Sequence, residues 1–474
     1  MNSDDMKFDL VCIGAGIGGL TAGLRAQELG LKAIVVEKGP AGDYPCNTRY
    51  SGGHLSICMS NPADPADVIS DRIVNVTKGF VDRDFAMTYA GTAERMLKWL
   101  GANGAKYLRI SNDPGRQWVL APPRRGQPGL DWKGRGPDVL LQRMAELFQK
   151  TGGTLIYNTT ALNLLSDDGA ITGVKVRHNN GTTYDVHAKA TVIADGGFQS
   201  NDDFVRQFIC KSPEKLLQRN ARSANGDGLR MAIDAGAQLT GMKWFYGHPL
   251  SVDAFNNDKL WPHPYLDILT TSGIVVNRAG ERIVDEGKGA VYLSNVLAHS
   301  DDPLDSFVIF DSEVWNGPAS DVSLAPIPNP TLRTAGATIH EASNIEDLAK
   351  ASGISIDRLR ETVDAYNASF INQSHNGLTP PRTTSKFKAY PILKAPFYAM
   401  PMCVGITHTM GGPKVDADGH VLNEDNQPIG GLFAVGSAAG GIEGGEDVGY
   451  VGGLAKGAIL GLRAAEAVSA SLGR

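Results

Sequence analysis

The chain contains no CxxC pair, no cluster of Lys and Arg, no apolar run of membrane-spanning length and no basic stretch ahead of an apolar one at its start. Each gap removes a class of function. Five cysteines, Cys12, Cys46, Cys58, Cys210 and Cys403, form an odd set without metal-ligand spacing. Neither a disulfide framework nor a zinc or iron–sulfur site is indicated, no metal is expected, and a reducing cytoplasm fits best. The net charge is −6 and the basic residues are scattered, so there is no field to hold a phosphate backbone and nucleic acid is not an expected partner. No run reaches the ~18 apolar residues of a membrane span. The acidic start MNSDDMKFDLVCIGAG runs straight into a strand, so a soluble, unprocessed chain is expected.

What is there is ordinary in bulk and specific in detail. With 474 residues, 42% hydrophobic and 20% charged, the chain suits two or three lobes sharing a large core. Its 56 glycines point to many tight turns and close backbone approaches. FDLVCI at 8 to 13 reads as a buried parallel strand, followed by a helix from Ile17 to Leu29 and a strand from Lys32 to Glu37, which together make a βαβ unit. Helical periodicity covers 66 to 100 and 137 to 151, and strand-like runs follow at 154 to 158, 171 to 177 and 184 to 194. From 240 to 375 aromatics, prolines and polar turns take over, with a helical hairpin in IEDLAKASGISIDRLRETVDAYNASF. After it the Gly-rich texture returns and closes on a helix, Gly453 to Leu472. The expected fold is α/β: a Rossmann-like domain built from 1 to 240 and 376 to 474, with an α+β capping domain inserted at 241 to 375.

Gly14, Gly16 and Gly19 stand in GAGIGG, directly after the first strand and at the start of the helix. The first glycine makes the turn, the second lets the backbone approach a pyrophosphate, the third lets helix and strand pack closely, and the helix N-terminus faces the phosphates. Ala15 and Gly18 complete the loop. Glu37, with Lys38 after it, lies about the ~20 residues downstream where a carboxylate binds ribose hydroxyls. Two more glycine turns, Ala194-Asp195-Gly196 and GLFAVGSAAGG with Gly436 and Ser437, suit the long, extended FAD better than NAD.

Further motifs carry a resemblance: Asn47-Thr48-Arg49-Tyr50-Ser51-Gly52-Gly53, Gly226-Asp227-Gly228, His248-Pro249, Val276 to Glu286 (VNRAGERIVDE), and His408-Thr409-Met410-Gly411-Gly412. Together they resemble the flavoprotein family of fumarate reductases and succinate dehydrogenases, with their soluble relatives, the 3-ketosteroid and tricarballylate dehydrogenases, over nearly the whole chain. The resemblance implies FAD with its flavin edge at Asn47, Thr48, Ser51, Gly52 and Gly53. Asn47 stands where membrane-bound members carry the histidine that binds FAD covalently, so the FAD here is expected to be non-covalent. Asp227, Leu162 and Leu454 complete the implied cofactor contacts. Ser437 replaces a glutamate that touches the ribityl chain in many members.

The resemblance also implies that His248 and His408 point at a substrate carboxylate or carbonyl. Read alone, each is a satisfied loop histidine. The family's acid arginine after the VNE segment is missing, so Lys288 or Tyr292 is expected to move the proton. Tyr450 replaces a second arginine that clamps a carboxylate, and the paired loss argues against fumarate. Arg124 and Arg125 in APPRRGQPG read as a solvated basic turn. The expected function is FAD-dependent hydride transfer at the CH–CH or C=C bond of a small carbonyl- or carboxylate-bearing substrate, leaning to dehydrogenation. The rivals are an ene-reductase of an enoate or enone and a non-catalytic flavoprotein. With no CxxCH haem site, the electron donor or acceptor is expected to be a separate partner.

Overall fold

In a computed structural model, residues 7–321 and 326–474 are described. Strand Lys7–Ile13 buries every residue after the first, as an unbroken apolar run does when helices or sheets cover both faces. It pairs in parallel with Ala33–Val36 on one side and Thr183–Ile193 on the other. Thr154–Ile156 and Pro428–Ala434 extend the parallel set outward. The chain's last quarter therefore supplies a strand to the sheet that its first residues begin. Thr159–Asp167 and Ala170–His178 add an antiparallel hairpin that pairs with the start of Thr183–Ile193.

Helix Ile17–Glu28 lies against the closing helix Gly453–Ser471. Small residues allow it: a Cβ on Gly461 would sit 2.7 Å from the Gly18 carbonyl oxygen. The periodicity at 66 to 100 resolves into two helices, Ala66–Val76 and Arg83–Ala102. Lys78 and Gly79 take positive φ between them, which ends a helix, and the Asp82 carboxylate caps the second by accepting from the amides of Asp84 and Phe85.

A second, six-stranded sheet forms around the long strand Phe397–Thr409. Phe245–Ser251, Phe307–Asp311 and His340–Ala342 pair with it antiparallel, and Leu216–Gln218 in parallel. The sheet draws strands from both sides of the segment 241 to 375. Its faces bury a core of their own that includes Phe245, Leu250, Phe310, Met400 and Val404. The helical hairpin is present as Ile345–Ser352 and Ile356–Ile371, joined through Gly353 at φ +71°. Among the described residues no helix is long and apolar enough to cross a membrane.

Candidate functional site

The strand ends of the first sheet open onto a cavity of about 460 Å³ that continues to the second sheet, within the size range of small-molecule sites. At one end is the GAGIGG turn. Gly14 holds φ +100°, and a Cβ there would lie 2.7 Å from the Ala194 carbonyl oxygen. A Cβ on Gly19 would lie 2.0 Å from the Gly14 carbonyl oxygen, whereas one on Gly16 would meet only Thr48 Oγ1, at 3.5 Å. Gly19 is thus a packing residue and Gly16 faces open space. The helix that follows has no side-chain cap and no acid in its first turn, so its N-terminal amides suit an anion. Glu37 shapes the turn by accepting from Ala15 N at 2.9 Å and Gly39 N at 2.7 Å.

Most residues expected to touch the cofactor line this cavity: Gly14, Ala15, Gly16, Gly18, Glu37, Lys38, Asn47, Thr48, Ser51 and Gly52, then Ala194, Asp195, Gly196, Asp227, Gly436, Ser437 and Leu454. Three expected contacts are corrected. Gly19 and Gly53 pack inward, Gly53 against Leu120 and Pro137. Leu162 is off the wall, which Thr159, Thr160 and Ala161 before it form; the register of the strand shifts between Ala161 and Asn163. Asn47 is held from both ends of its amide, donating to the Thr407 carbonyl at 2.9 Å and accepting from Ala221 N at 3.0 Å. Asp195 accepts from Gly228 N at 2.7 Å and keeps Oδ1 buried without a partner. Burial pushes its carboxyl up to about 6.

At the other end the wall is aromatic and cationic. Tyr246, His408 and Tyr450 form a stack, with ring centroids 4.0 Å apart for Tyr246 and Tyr450 and 5.3 Å for Tyr246 and His408. Tyr450 Oη accepts from Gly453 N at 2.9 Å, so its own O–H remains to donate. Burial, helped by Glu443, raises its pKa and keeps the phenol protonated. Arg219 has a partner at each nitrogen, donating to the Pro262 carbonyl, Thr407 Oγ1 and Tyr265 Oη. Arg124 is not. Its Nη1 lies 3.3 Å from His263 Nε2, while Nε and Nη2 are buried without partners. Burial and the two nearby guanidinium groups push His263 down to about 3, so this imidazole is neutral. Since a guanidinium only donates, Nε2 accepts and Nδ1 carries the hydrogen, also buried and unpartnered.

The expected catalytic set is brought together only in part. His408 and Tyr450 are on the wall, and His248, Lys288 and Tyr292 are not. Lys288 is bonded to Asp447 at 2.7 Å and lies over the Tyr292 ring, which turns both toward a surface ion pair. His248 stands one layer behind Tyr246, with Nε2 2.9 Å from the Tyr246 hydroxyl. Arg124, read from the sequence as a solvated turn, is largely withdrawn from solvent on the cavity wall, while Arg125 beside it, at the rim of the same wall, is exposed and pairs with Asp131. Tyr246 was legible in principle: two residues before His248 on a strand, it shares that histidine's face.

His408 is buried, its Nε2 unbonded and 4.0 Å from Glu443 Oε2. Burial outweighs the carboxylate and pushes its pKa down to about 4. An unfolded histidine titrates near ~6.5, so between these values the unfolded chain holds more protons and stability rises with pH. Acidifying from pH 7 to 4 therefore costs about 3 kcal/mol through this residue. Urea unfolding at several pH values is expected to show a flatter acid limb for His408→Asn than for the wild type; equal slopes would refute this.

Over residues 9–449 the chain matches the family model described as FAD binding domain. It is 26% identical over 471 residues to vinyl phenol reductase of Lactiplantibacillus plantarum, covering 92% of this chain and 91% of the relative. It is also 26% identical over 521 residues to 4-oxocyclohexanecarboxylate 2-dehydrogenase of Sinomonas cyclohexanicum, covering 91% and 87%. In fold it is similar to 3-ketosteroid Δ1-dehydrogenase from Sterolibacterium denitrificans, solved in complex with 1,4-androstadiene-3,17-dione, with TM-score 0.74 at 21% identity over 98% of this chain and 100% of that one.

Proposed function

Since the chain belongs to the FAD binding domain family and is an oxidoreductase of carbon–carbon bonds, we propose that it dehydrogenates a small substrate beside a carboxylate or carbonyl. The observation that carries this is the single cavity joining the GAGIGG turn to the stack of Tyr246, His408 and Tyr450. FAD, when bound, takes the hydride or returns it. Gly14, Gly16 and the helix N-terminus would hold the pyrophosphate, Glu37 a ribose, and Asn47, Thr48, Ser51 and Gly52 the flavin edge. Asn47 has no nucleophile for a covalent link, which supports non-covalent binding. Segment 241 to 375 supplies Tyr246, Trp261 and His263 to the wall, which supports its reading as a capping domain between the two halves of the FAD-binding domain. Closure there would exclude water.

His408 and Tyr450 bind and polarise the activating group through N–H and O–H donors, which acidifies the neighbouring C–H bond. The unpaired donors of Arg124, Nε and Nη2, support a carboxylate there, because buried donors left single are expensive and an anion takes both from one guanidinium edge. The electrons leave through a separate carrier, and the five unpaired cysteines favour a reducing cytoplasm. Reduction of the same bond is the second reading, favoured by the likeness to vinyl phenol reductase.

The test is anaerobic. Oxidised flavin is mixed with a panel of saturated acids, their methyl esters and ketones, and dithionite-reduced flavin with the unsaturated counterparts. Bleaching by a saturated acid is the expected result. Reoxidation alone would make the protein a reductase, and silence in both would leave a non-catalytic flavoprotein. Arg124→Gln is expected to raise KM for the acid about 10- to 100-fold, the worth of a charge-assisted bond, and to leave the ester within about 3-fold.

A further inference from the structure

Resting on that reading, we propose that Tyr246 moves the substrate's proton and that His248 and Asp267 connect it to solvent. The three groups form one hydrogen-bonded chain. Tyr246 is on the cavity wall, its hydroxyl 2.9 Å from His248 Nε2. His248 Nδ1 lies 2.8 Å from Asp267 Oδ2. Asp267 opens the short helix Asp267–Ser272. Its side chain keeps 34% of its surface exposed against 8% for His248, and it is not part of the cavity wall. The chain thus runs from the reacting space, through a buried imidazole, to a side chain one-third exposed, whose Oδ1 is buried without a partner while Oδ2 faces the imidazole.

The donors and acceptors fix the direction of each bond. An ionised carboxylate only accepts, so Nδ1 carries the hydrogen and Nε2 is left to accept from the Tyr246 hydroxyl. The rings are held in place: His248 stacks on Tyr265 at 4.3 Å and meets Tyr246 edge-on at 4.9 Å. Tyr246 in turn faces Tyr450 and His408, with Arg219, Tyr265 and Asp267 as its other charged or titratable neighbours.

Burial, with Tyr450 and Tyr265 alongside, raises the Tyr246 pKa well above the ordinary phenol range. A resident phenolate is therefore unfavourable, and Tyr246 can accept a proton only as it gives one up. His248 is placed to receive it. In dehydrogenation the substrate C–H bond breaks, its proton joins Tyr246 Oη, and the proton already on Oη passes to His248 Nε2. The electron pair of that C–H bond becomes the second bond of the C=C as hydride leaves the adjacent carbon for FAD, which is reduced. His248 is then an imidazolium paired with Asp267 and discharges at the exposed edge. Reduction runs the same steps in reverse. His408 lacks such an exit, since its charged neighbours Glu443 and Lys456 are both at 0% exposure. Lys288 and Tyr292 are off the wall.

The experiment uses the FAD-loaded protein and its Tyr246→Phe, His248→Gln, Asp267→Asn and Asp267→Glu variants. Stopped-flow flavin reduction is measured from pH 5 to 9, and the tyrosine ring carbons and imidazole N–H groups are followed by NMR. Tyr246→Phe is expected to slow flavin reduction about 10²- to 10⁴-fold, the usual worth of a positioned proton-transfer group, with KM within a few-fold and the flavin spectrum unchanged. Asp267→Asn is expected to slow it about 10-fold, because the imidazolium formed on His248 loses its carboxylate. Asp267→Glu should restore the rate. A Tyr246→Phe enzyme within about 3-fold of wild type, or an Asp267→Asn enzyme as fast as wild type, overturns the relay. If no substrate on the panel touches the flavin, the functional reading fails, and NMR still decides the relay. The His248 Nδ1–H signal should vanish in His248→Gln and move upfield in Asp267→Asn, where an amide oxygen replaces the charged acceptor, with Tyr246 shifting in each, and an unperturbed Tyr246 overturns the chain.

Discussion

Gly16→Ala is expected to yield a folded protein that purifies colourless. Gly16 holds φ −72°, which alanine adopts freely, and the added methyl would touch only Thr48 Oγ1 at 3.5 Å. Its melting temperature should therefore stay within about 2 °C of the apo wild type. The same methyl occupies the space through which a pyrophosphate approaches the turn, so FAD affinity should fall at least about 100-fold, or about 2.7 kcal/mol. Gly19→Ala is the contrast. Its methyl would collide with the Gly14 carbonyl, forcing helix from strand and lowering stability by about 1–3 kcal/mol as well as releasing FAD. Fluorescence titration with FAD and thermal melts separate the two. A yellow, tightly loaded Gly16→Ala protein would refute the assignment of this turn to the cofactor.

Lys456→Met is expected to destabilise the fold by about 3–5 kcal/mol. Lys456 and Glu443 are both at 0% exposure, 3.2 Å apart, and Glu443 Oε1 also accepts from the amides of Val451 and Gly452 at 3.0 Å each. Removing the ammonium leaves a buried carboxylate supported only by those amides and the N-terminus of helix Gly453–Ser471. Adding Glu443→Gln should recover most of the loss, because the amide oxygen still accepts both N–H groups and no charge remains to desolvate. Urea unfolding of the single and double variants tests this. A single variant within about 1 kcal/mol of wild type would show the pair to be as dispensable as a surface one.

Sequence carries best what local chemistry fixes. The strand, helix and strand that open the chain are present as expected, because turn and periodicity signals agree over one short stretch. Gly14, Gly16 and Glu37 from that stretch line one cavity with His408 and Tyr450, each of which lies in a short motif. Positions set by distant contacts are less legible. Lys288 pairs with Asp447, which lies 159 residues further on, and no local pattern reports that pairing. His248 stands behind Tyr246 and off the cavity wall. The bulge between Tyr246 and Gly247 shifts the register on the long central strand, so that Tyr246 pairs with His408 and takes the cavity wall. Arg124 is hard to place from sequence because a Pro-rich turn resembles solvent-exposed loop in composition, while one of its contacts, His263, lies 139 residues away.

Strand Phe397–Thr409 reaches from the outer part of the second sheet to the cavity, where it ends at His408. Pairing with Leu216–Gln218, Phe245–Ser251, Phe307–Asp311 and His340–Ala342 along its length makes it a girder, and the wall it carries inherits that rigidity. The loop at Arg124 and the Trp261-Pro262-His263-Pro264 segment line the same cavity outside any strand, the latter tied to the sheet by single side-chain bonds from Arg219 and Trp261. Divergence of substrate range in this scaffold should accordingly accumulate on the loop side, with the aromatic stack passed on unchanged. A library meant to retarget the enzyme belongs there.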